Sequence, residues 1–287
     1  MLDGAASLDP SYYLFWISLN IELTTLNYIK AFSTVGIVSV LFGLETWAPF
    51  FQGRQRRVKH ARRNLTIAAL NAVVLGLLFS KPTAKITDWT ASLSFGIVHW
   101  LNISTLFDTL LAIILMDGWM YLWHRANHRV PFLWRFHRMH HSDPQMDVTT
   151  ALRFHTGELV FSSLLRFAVV PFLGMNLWQL IFYEILLLPI IQFHHSNVNL
   201  PGSWDRCLRT IIVTPNIHRV HHSRWQPETD SNYSSIFSFW DRVFGSFRLR
   251  EDPHTLQYGL NTYDAQEWQT IRGMMKTPFL TPSLLTK

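Results

Sequence analysis

The sequence predicts an all-α integral membrane protein: four transmembrane spans plus a helical hairpin, with a helical cap on the cytoplasmic side. Three observations carry that reading. Of 287 residues, 48% are hydrophobic and 15% charged, against roughly 25% charged in an average soluble domain. The apolar residues gather into runs near the roughly 20-residue length that crosses a bilayer core. The basic residues border those runs, with Arg54, Arg56, Arg57, Lys59, Arg62 and Arg63 inside one ten-residue window.

Taken in order, the first span runs from Tyr12 to about Ile29, weakened by Asn20 and Glu22. The second covers Ala31 to Phe51, the third Leu65 to Ser80 and the fourth about Leu101 to Trp123. Leu159 to Phe193 is too long for one crossing and is interrupted by Pro171 and Gly174, so it reads as a hairpin. The segment Met1 to Pro10 has two aspartates and no basic n-region, unlike a cleaved signal peptide. The Pro/Ser/Thr-rich stretch from Thr277 to Lys287 is expected to fray. The chain reads as one membrane domain, with N-terminal spans over 1–104 and a cytoplasmic tail over 251–287.

The basic cluster at 54–63 places its loop in the cytoplasm by the positive-inside rule. Span three then leaves and span four returns, so His124 emerges on the cytoplasmic side. A hairpin enters and leaves by one face, which puts His194 to Lys287 there as well. The net charge of +6 serves topology and not nucleic acid, because no exposed aromatics interleave with it. The single cysteine, Cys207, excludes an internal disulfide framework and a cysteine-based metal site.

Eight of the 14 histidines fall into three patterns: His124-Arg-Ala-Asn-His128, His137-Arg-Met-His140-His141 and His218-Arg-Val-His221-His222. Residues at i, i+3 and i+4 share a helix face, so each segment aims two or three imidazoles at one point. At this histidine frequency roughly 0.03 His-x-x-His-His matches are expected by chance; two occur. Imidazole suits zinc, iron, copper and nickel alike. One first-row ion takes four to six ligands, so eight donors imply two ions with positions left open.

Two further histidines are candidates. His195, in Phe193-His194-His195-Ser196-Asn197, sits where the hairpin returns to the cytoplasm, and His155 sits where it enters. The bland alternative for both is an interfacial anchor. His60, His99 and His254 stand alone and read as ordinary surface or core residues. Asp117 and Tyr121 precede His124 by seven and three residues on the same helix face, where a carboxylate can orient a metal-bound imidazole from behind. Asn197 is assigned the same supporting role; for Asp117 a bundle-facing polar residue is the competing reading. Trp119, Trp123, Trp134 and Phe136 flank the motifs as entrance walls or as an interfacial aromatic belt. Within the hairpin, Arg166 and Glu184 lie nine residues either side of Met175. That puts both at about 13 Å from the apex, and charges at equal depth in lipid should pair.

The run Asp117-Gly-Trp-Met-Tyr121-Leu-Trp-His124-Arg125-Ala-Asn-His128, with the two His-x-x-His-His segments, resembles the fatty acid hydroxylase superfamily, also called the sterol desaturase family. Asp230-Ser-Asn-Tyr233 and Trp240-Asp241-Arg242-Val-Phe244-Gly245 are similar to the branch that contains alkylglycerol monooxygenase and bacterial relatives. The resemblance covers about residues 105 to 250 and implies that this stretch is the catalytic region; before that only generic spans match. It implies a membrane-bound, O2-dependent di-iron oxidoreductase acting on sterols, fatty acyl chains or ether lipids. It makes the eight motif histidines metal ligands, adds His195 at the hairpin return, and assigns no catalytic side chain beyond the ligands.

Purified material could carry zinc, since imidazole sites accept it readily. No His-Pro-Gly-Gly haem pattern and no Gly-x-Gly-x-x-Gly turn occurs, so electrons are expected from outside: a reductase, a cytochrome b5-like protein, a ferredoxin or a small reductant. Placement is expected in a bacterial inner membrane or the endoplasmic reticulum. Two other readings compete with hydroxylation. One is a desaturase on the same centre; the other is a non-redox zinc metalloprotein of the membrane. A multi-haem carrier fits poorly, because haem ligands usually face each other across separate spans.

Overall fold

The computed structural model describes residues 22–54 and 56–280, and every described element is helical or irregular. Three isolated antiparallel bridges, such as Ile212 with Phe237, are the nearest approach to a sheet among these residues. Among the described residues, five helical segments are long and apolar enough to cross a membrane. The first is α1, Leu23–Trp47. Next come α2, Arg57–Ser92, and α3, Thr105–Arg129. The hairpin pair is α5, Thr156–Leu173, and α6, Leu177–His195. Between α3 and α5 lies the short α4, Pro131–His141.

Only 11% of the apolar windows of α1 and α2 is buried inside the protein. Phe32 and Leu77 are among their exposed side chains. Faces this apolar need hydrocarbon around them, so the chain is an integral membrane protein. A second apolar surface is satisfied internally. Met116 of α3, Val170 of α5, and Leu180 and Tyr183 of α6 pack into one buried cluster.

The hairpin turns where the sequence has Gly174-Met175-Asn176. Gly174 takes φ +84°, and a Cβ there would meet Val98 at 2.9 Å, so glycine suits both the left-handed conformation and the close approach. Asn176 then caps α6 in a reciprocal pair with Gln179. Arg166 Nη1 lies 3.3 Å from Glu184 Oε1 across the hairpin, and Lys30 Nζ of α1 reaches Glu184 Oε2 at 2.9 Å.

Three expectations about the spans change. Tyr12 to Ile21 of the expected first span lies outside the described residues. From Leu23 the helix runs unbroken through Lys30 into the expected second span and ends at Trp47. Lys30 does not interrupt the helix because its ammonium is paired with Glu184 at depth. The expected third span extends at both ends, so Arg57, Lys59, Arg62 and Arg63 sit on the first turns of α2, not in a loop. Charged residues end a hydropathy window, but Lys and Arg are good helix formers in water. The fourth, expected to end at Trp123, carries on to Arg129, so the ligating turn is an extension of the span.

One end of the bundle collects α1, α3 and α6 at their C-termini and α2 and α5 at their N-termini. Glu45 in the last turn of α1 ties it, accepting from Arg57 at 2.8 Å, from Val148 N at 2.8 Å and from Asn197 N at 2.7 Å. The described part of the C-terminal stretch, 277–280, packs onto this end. Thr277 is buried, and its carbonyl accepts from Arg138; residues 281–287, the rest of the stretch expected to fray, lie outside the described residues.

Candidate metal centre

Two of the histidine segments begin with proline. Val130 stays extended ahead of Pro131, ending α3 and starting α4 with proline at its first position. Thr214 and Pro215 repeat this at α8, Pro215–His221, which comes after a short α7, Gly202–Leu208. Each helix therefore enters the end of the bundle at a fixed angle with its histidines on the inward face.

The nine histidines converge in two sets, each with its ring nitrogens within 4.8 Å of one another. One set is His124, His128, His137, His141 and His221; the other is His140, His195, His218 and His222. Neither set follows the sequence motifs. Adjacent histidines diverge by about 100° around a helix, so His140 and His141 go to different sets, as do His221 and His222.

Several rings are held from behind. His124 Nδ1 donates to the Tyr233 carbonyl at 2.8 Å, His221 Nδ1 to Ser231 O at 2.7 Å and His195 Nδ1 to Ile191 O at 2.7 Å. His137 Nδ1 is 2.9 Å from Glu158 Oε1, whereas His128 Nδ1 is 3.7 Å from Asp230 Oδ1 and makes no hydrogen bond. A proton fixed on Nδ1 leaves the Nε2 lone pair free to bind a cation. Those front nitrogens lack partners: Nε2 of His128, His137, His141 and His221 is buried without a hydrogen bond.

In the second set the Nε2 atoms face one another, His140 to His195 at 3.1 Å, His195 to His218 at 3.0 Å and His218 to His222 at 3.2 Å. With metal–nitrogen bonds of about 2.1 Å, two ligands on one ion stand roughly 3.0 to 3.4 Å apart. Both sets therefore fit metal ions in donor type, number and spacing. Burial favours the neutral imidazole that ligation needs: it pushes His140, His141, His218 and His222 well below their usual range and His221 down to about 3.

His155 joins neither set. Its Nδ1 caps α5 by accepting from Gly157 N at 3.0 Å, and its Nε2 lies 3.3 Å from Met275 O. A helix-capping imidazole has its lone pair committed to the backbone, which corrects its expected ligand role. Glu158, three residues on, is what the first turn of α5 contributes instead.

The supporting roles expected of Asp117, Tyr121 and Asn197 are also corrected. Asp117 accepts from Ile236 N, Phe237 N, Trp240 Nε1 and Tyr183 Oη and touches no histidine. Seven residues from His124, it lies about 10 Å away along the axis, too far to reach the ring. Tyr121 Oη meets Ser246 Oγ at 2.8 Å. Asn197 bridges Phe51, accepting from its N–H and donating to its carbonyl, both at 3.0 Å.

Sequence reasoning missed Glu158, Asp230 and His194. His194 is buried, stacks on His218 at 4.0 Å and belongs to neither convergent set. Each lies within a few residues of a position the motifs single out, but nothing in the spacing says which carboxylate crosses to which imidazole. His60, read as ordinary, is held between Asp143 at 2.9 Å and Asp147 at 3.0 Å, apart from both sets. Among the flanking aromatics, Trp134 packs on His128, His137 and His141 of the first set.

A helical membrane bundle closes one end over two sets of convergent histidines that could hold metal ions. Residues 109–246, just under half of the chain, match the model of the fatty acid hydroxylase family. The chain is similar to ornithine lipid hydroxylase OlsE of Rhizobium tropici, 27% identical over 260 residues that cover 89% of this chain and 76% of that one. Human alkylglycerol monooxygenase is 24% identical over 260 residues, covering 78% and 56%, and human cholesterol 25-hydroxylase is 25% identical over 146 residues, covering 50% and 52%. The chain thus spans little more than half the length of either human relative. No solved structure matches.

Proposed function

We propose that this protein is a di-iron hydroxylase that uses O2 to insert one oxygen atom into a C–H bond of a lipid, working at the cytoplasmic face of its membrane. The carrying observation is the pair of convergent imidazole sets, the first with four partnerless Nε2 atoms and the second with its Nε2 atoms turned toward one another. The two human relatives and OlsE are named as hydroxylases or monooxygenases of lipids, which supports the reaction class.

Side chains alone do not attack an unactivated C–H bond. Iron, when bound, supplies the reductive splitting of O2, with overall balance RH + O2 + 2 electrons + 2 protons giving ROH and H2O. The electrons come from a separate donor. The first ion would be held by His124, His128, His137, His141 and His221, the second by His140, His195, His218 and His222. Glu158 places a carboxylate behind His137, raising the basicity of that ligand and fixing its rotamer, while Asp230 lies near His128 without a hydrogen bond to it. Trp134 and Tyr233 cover the first set and keep bulk water from it. The sets lie at the ends of α3 and α6, so a lipid can bring an apolar chain to them from the bilayer. The cytoplasmic assignment rests on the basic cluster of α2, which shares this end of the bundle.

The test compares the lipids of cells carrying the gene with those of cells lacking it or carrying His140→Ala. A species heavier by one oxygen, present only with the intact gene, is expected. Loss of two hydrogens instead would mark a desaturase, and no change in any lipid class would overturn the reading.

A further inference from the structure

The cap is not confined to the water above the histidines. Asp117 is central in α3, seven residues before His124, which places it about 10 Å further into the bundle. Its carboxylate is held by Ile236 N at 3.1 Å, Phe237 N at 3.0 Å and Trp240 Nε1 at 3.1 Å. Next to it, a Cβ on Gly118 would stand 2.8 Å from Trp240 Cζ2, so glycine admits the indole flat against the span. The cap segment 236–240 is therefore fastened to a membrane helix well below the metal centre.

That segment carries others with it. Ser238 N donates to Ile211 O at 3.0 Å, and Arg242 Nη2 donates to Arg209 O at 2.8 Å, so residues 209–212 lie alongside it. Helix α7 leads into 209–212, and α9, Phe239–Val243, overlaps the end of 236–240 and extends it. Phe244 stacks on Tyr121 of α3 at 4.9 Å, one turn from Asp117.

The outward face of this strip is apolar and basic. Trp204 is 66% exposed, Ile211 63% and Val243 66%, with Phe244 also exposed. The cations at its edge are Arg206, Arg209 and Arg242, while both carboxylates of these helices, Asp205 and Asp241, are buried. Aromatic and aliphatic tips flanked by arginine, with no exposed carboxylate, match the boundary between anionic headgroups and acyl chains. Backbone at such depth needs its polar groups satisfied by protein, and the Asp117 clamp does that for Ile236 and Phe237.

We propose that the strip formed by 202–212 and 237–244 is immersed in the cytoplasmic leaflet, so that the cap is a monotopic membrane-binding element fastened to α3. The proposal does not depend on the reaction assigned above. Its partner is a lipid surface, favoured where that surface is anionic.

The lone cysteine, Cys207, lies on this strip and is exposed. The full chain, spin-labelled at Cys207, is placed in nanodiscs of phosphatidylcholine with phosphatidylglycerol, and collisions with O2 and with a water-soluble nickel complex are compared. A label at Phe244→Cys in a Cys207→Ser background reads a second point of the strip. A label at exposed Glu251→Cys in the same background reports the aqueous side. Higher O2 than nickel accessibility at 207 and 244, reversed at 251, is expected. Nickel accessibility at 207 and 244 equal to that at 251 would overturn the proposal. So would labels shielded from both reagents with dipolar coupling between chains, which would mark a second copy as the occupant.

Discussion

The imidazoles of the two sets differ from ordinary histidines because several are held from behind while their front nitrogens meet either no partner, as in the first set, or only one another, as in the second. Glu158 is the most instructive case, its carboxylate 2.9 Å from His137 Nδ1. Glu158→Gln keeps the shape but removes the charge that makes His137 a stronger donor, and metal affinity should fall by about 10- to 100-fold; chelator competition measures it. Burial also fixes a pH response. In the metal-free protein His221 is pushed down to about 3, whereas an unfolded histidine titrates near 6.5. Between those values the unfolded chain binds more protons than the folded one, so stability drops as pH falls. The melting temperature of metal-free protein should therefore decline from pH 7.5 to 5.5, and a flat profile would contradict burial of neutral rings. At this scale the eight motif histidines were legible, because i, i+3, i+4 spacing is a property of one helix. Glu158 and the true role of His155 were not, since both depend on which atom another element presents.

Elements were read well where the cue was local and less well where it was hydropathy alone. Gly174-Met175-Asn176 combines a left-handed residue with a capping side chain, so the hairpin and its apex could be placed. The ends of α1, α2 and α3 moved because helices continue through paired or solvated charge. The same hairpin carries an asymmetric charge cluster. Removing Glu184 leaves Lys30 and Arg166 facing each other in lipid, whereas removing Arg166 leaves a neutral Lys30–Glu184 pair. Glu184→Gln should accordingly lower the melting temperature more than Arg166→Met in the same nanodiscs. Gly118 makes a sharper test of the α3–cap contact. Gly118→Ala puts a methyl 2.8 Å from Trp240 and, despite the better helix propensity of alanine, should cost stability, of order 1–3 kcal/mol.

The whole molecule works because five helix ends meet at one end of the bundle and three histidine segments fold over it. Sequence charge and hydropathy anticipated that common end, since lysine and arginine placement brings every histidine motif to one side. What they could not provide was the partition of nine histidines into two sets, which mixes residues from α3, α4, α6 and α8. That partition is the basis for two metals and hence for the proposed O2 chemistry. It is tested most directly by metal stoichiometry per chain in protein purified without chelators, comparing wild type with His128→Ala and with His218→Ala. The structure predicts two ions in wild type and a loss concentrated at one site in each variant. A wild-type ratio of one or fewer, or a variant in either set that leaves the ratio at two, would contradict it.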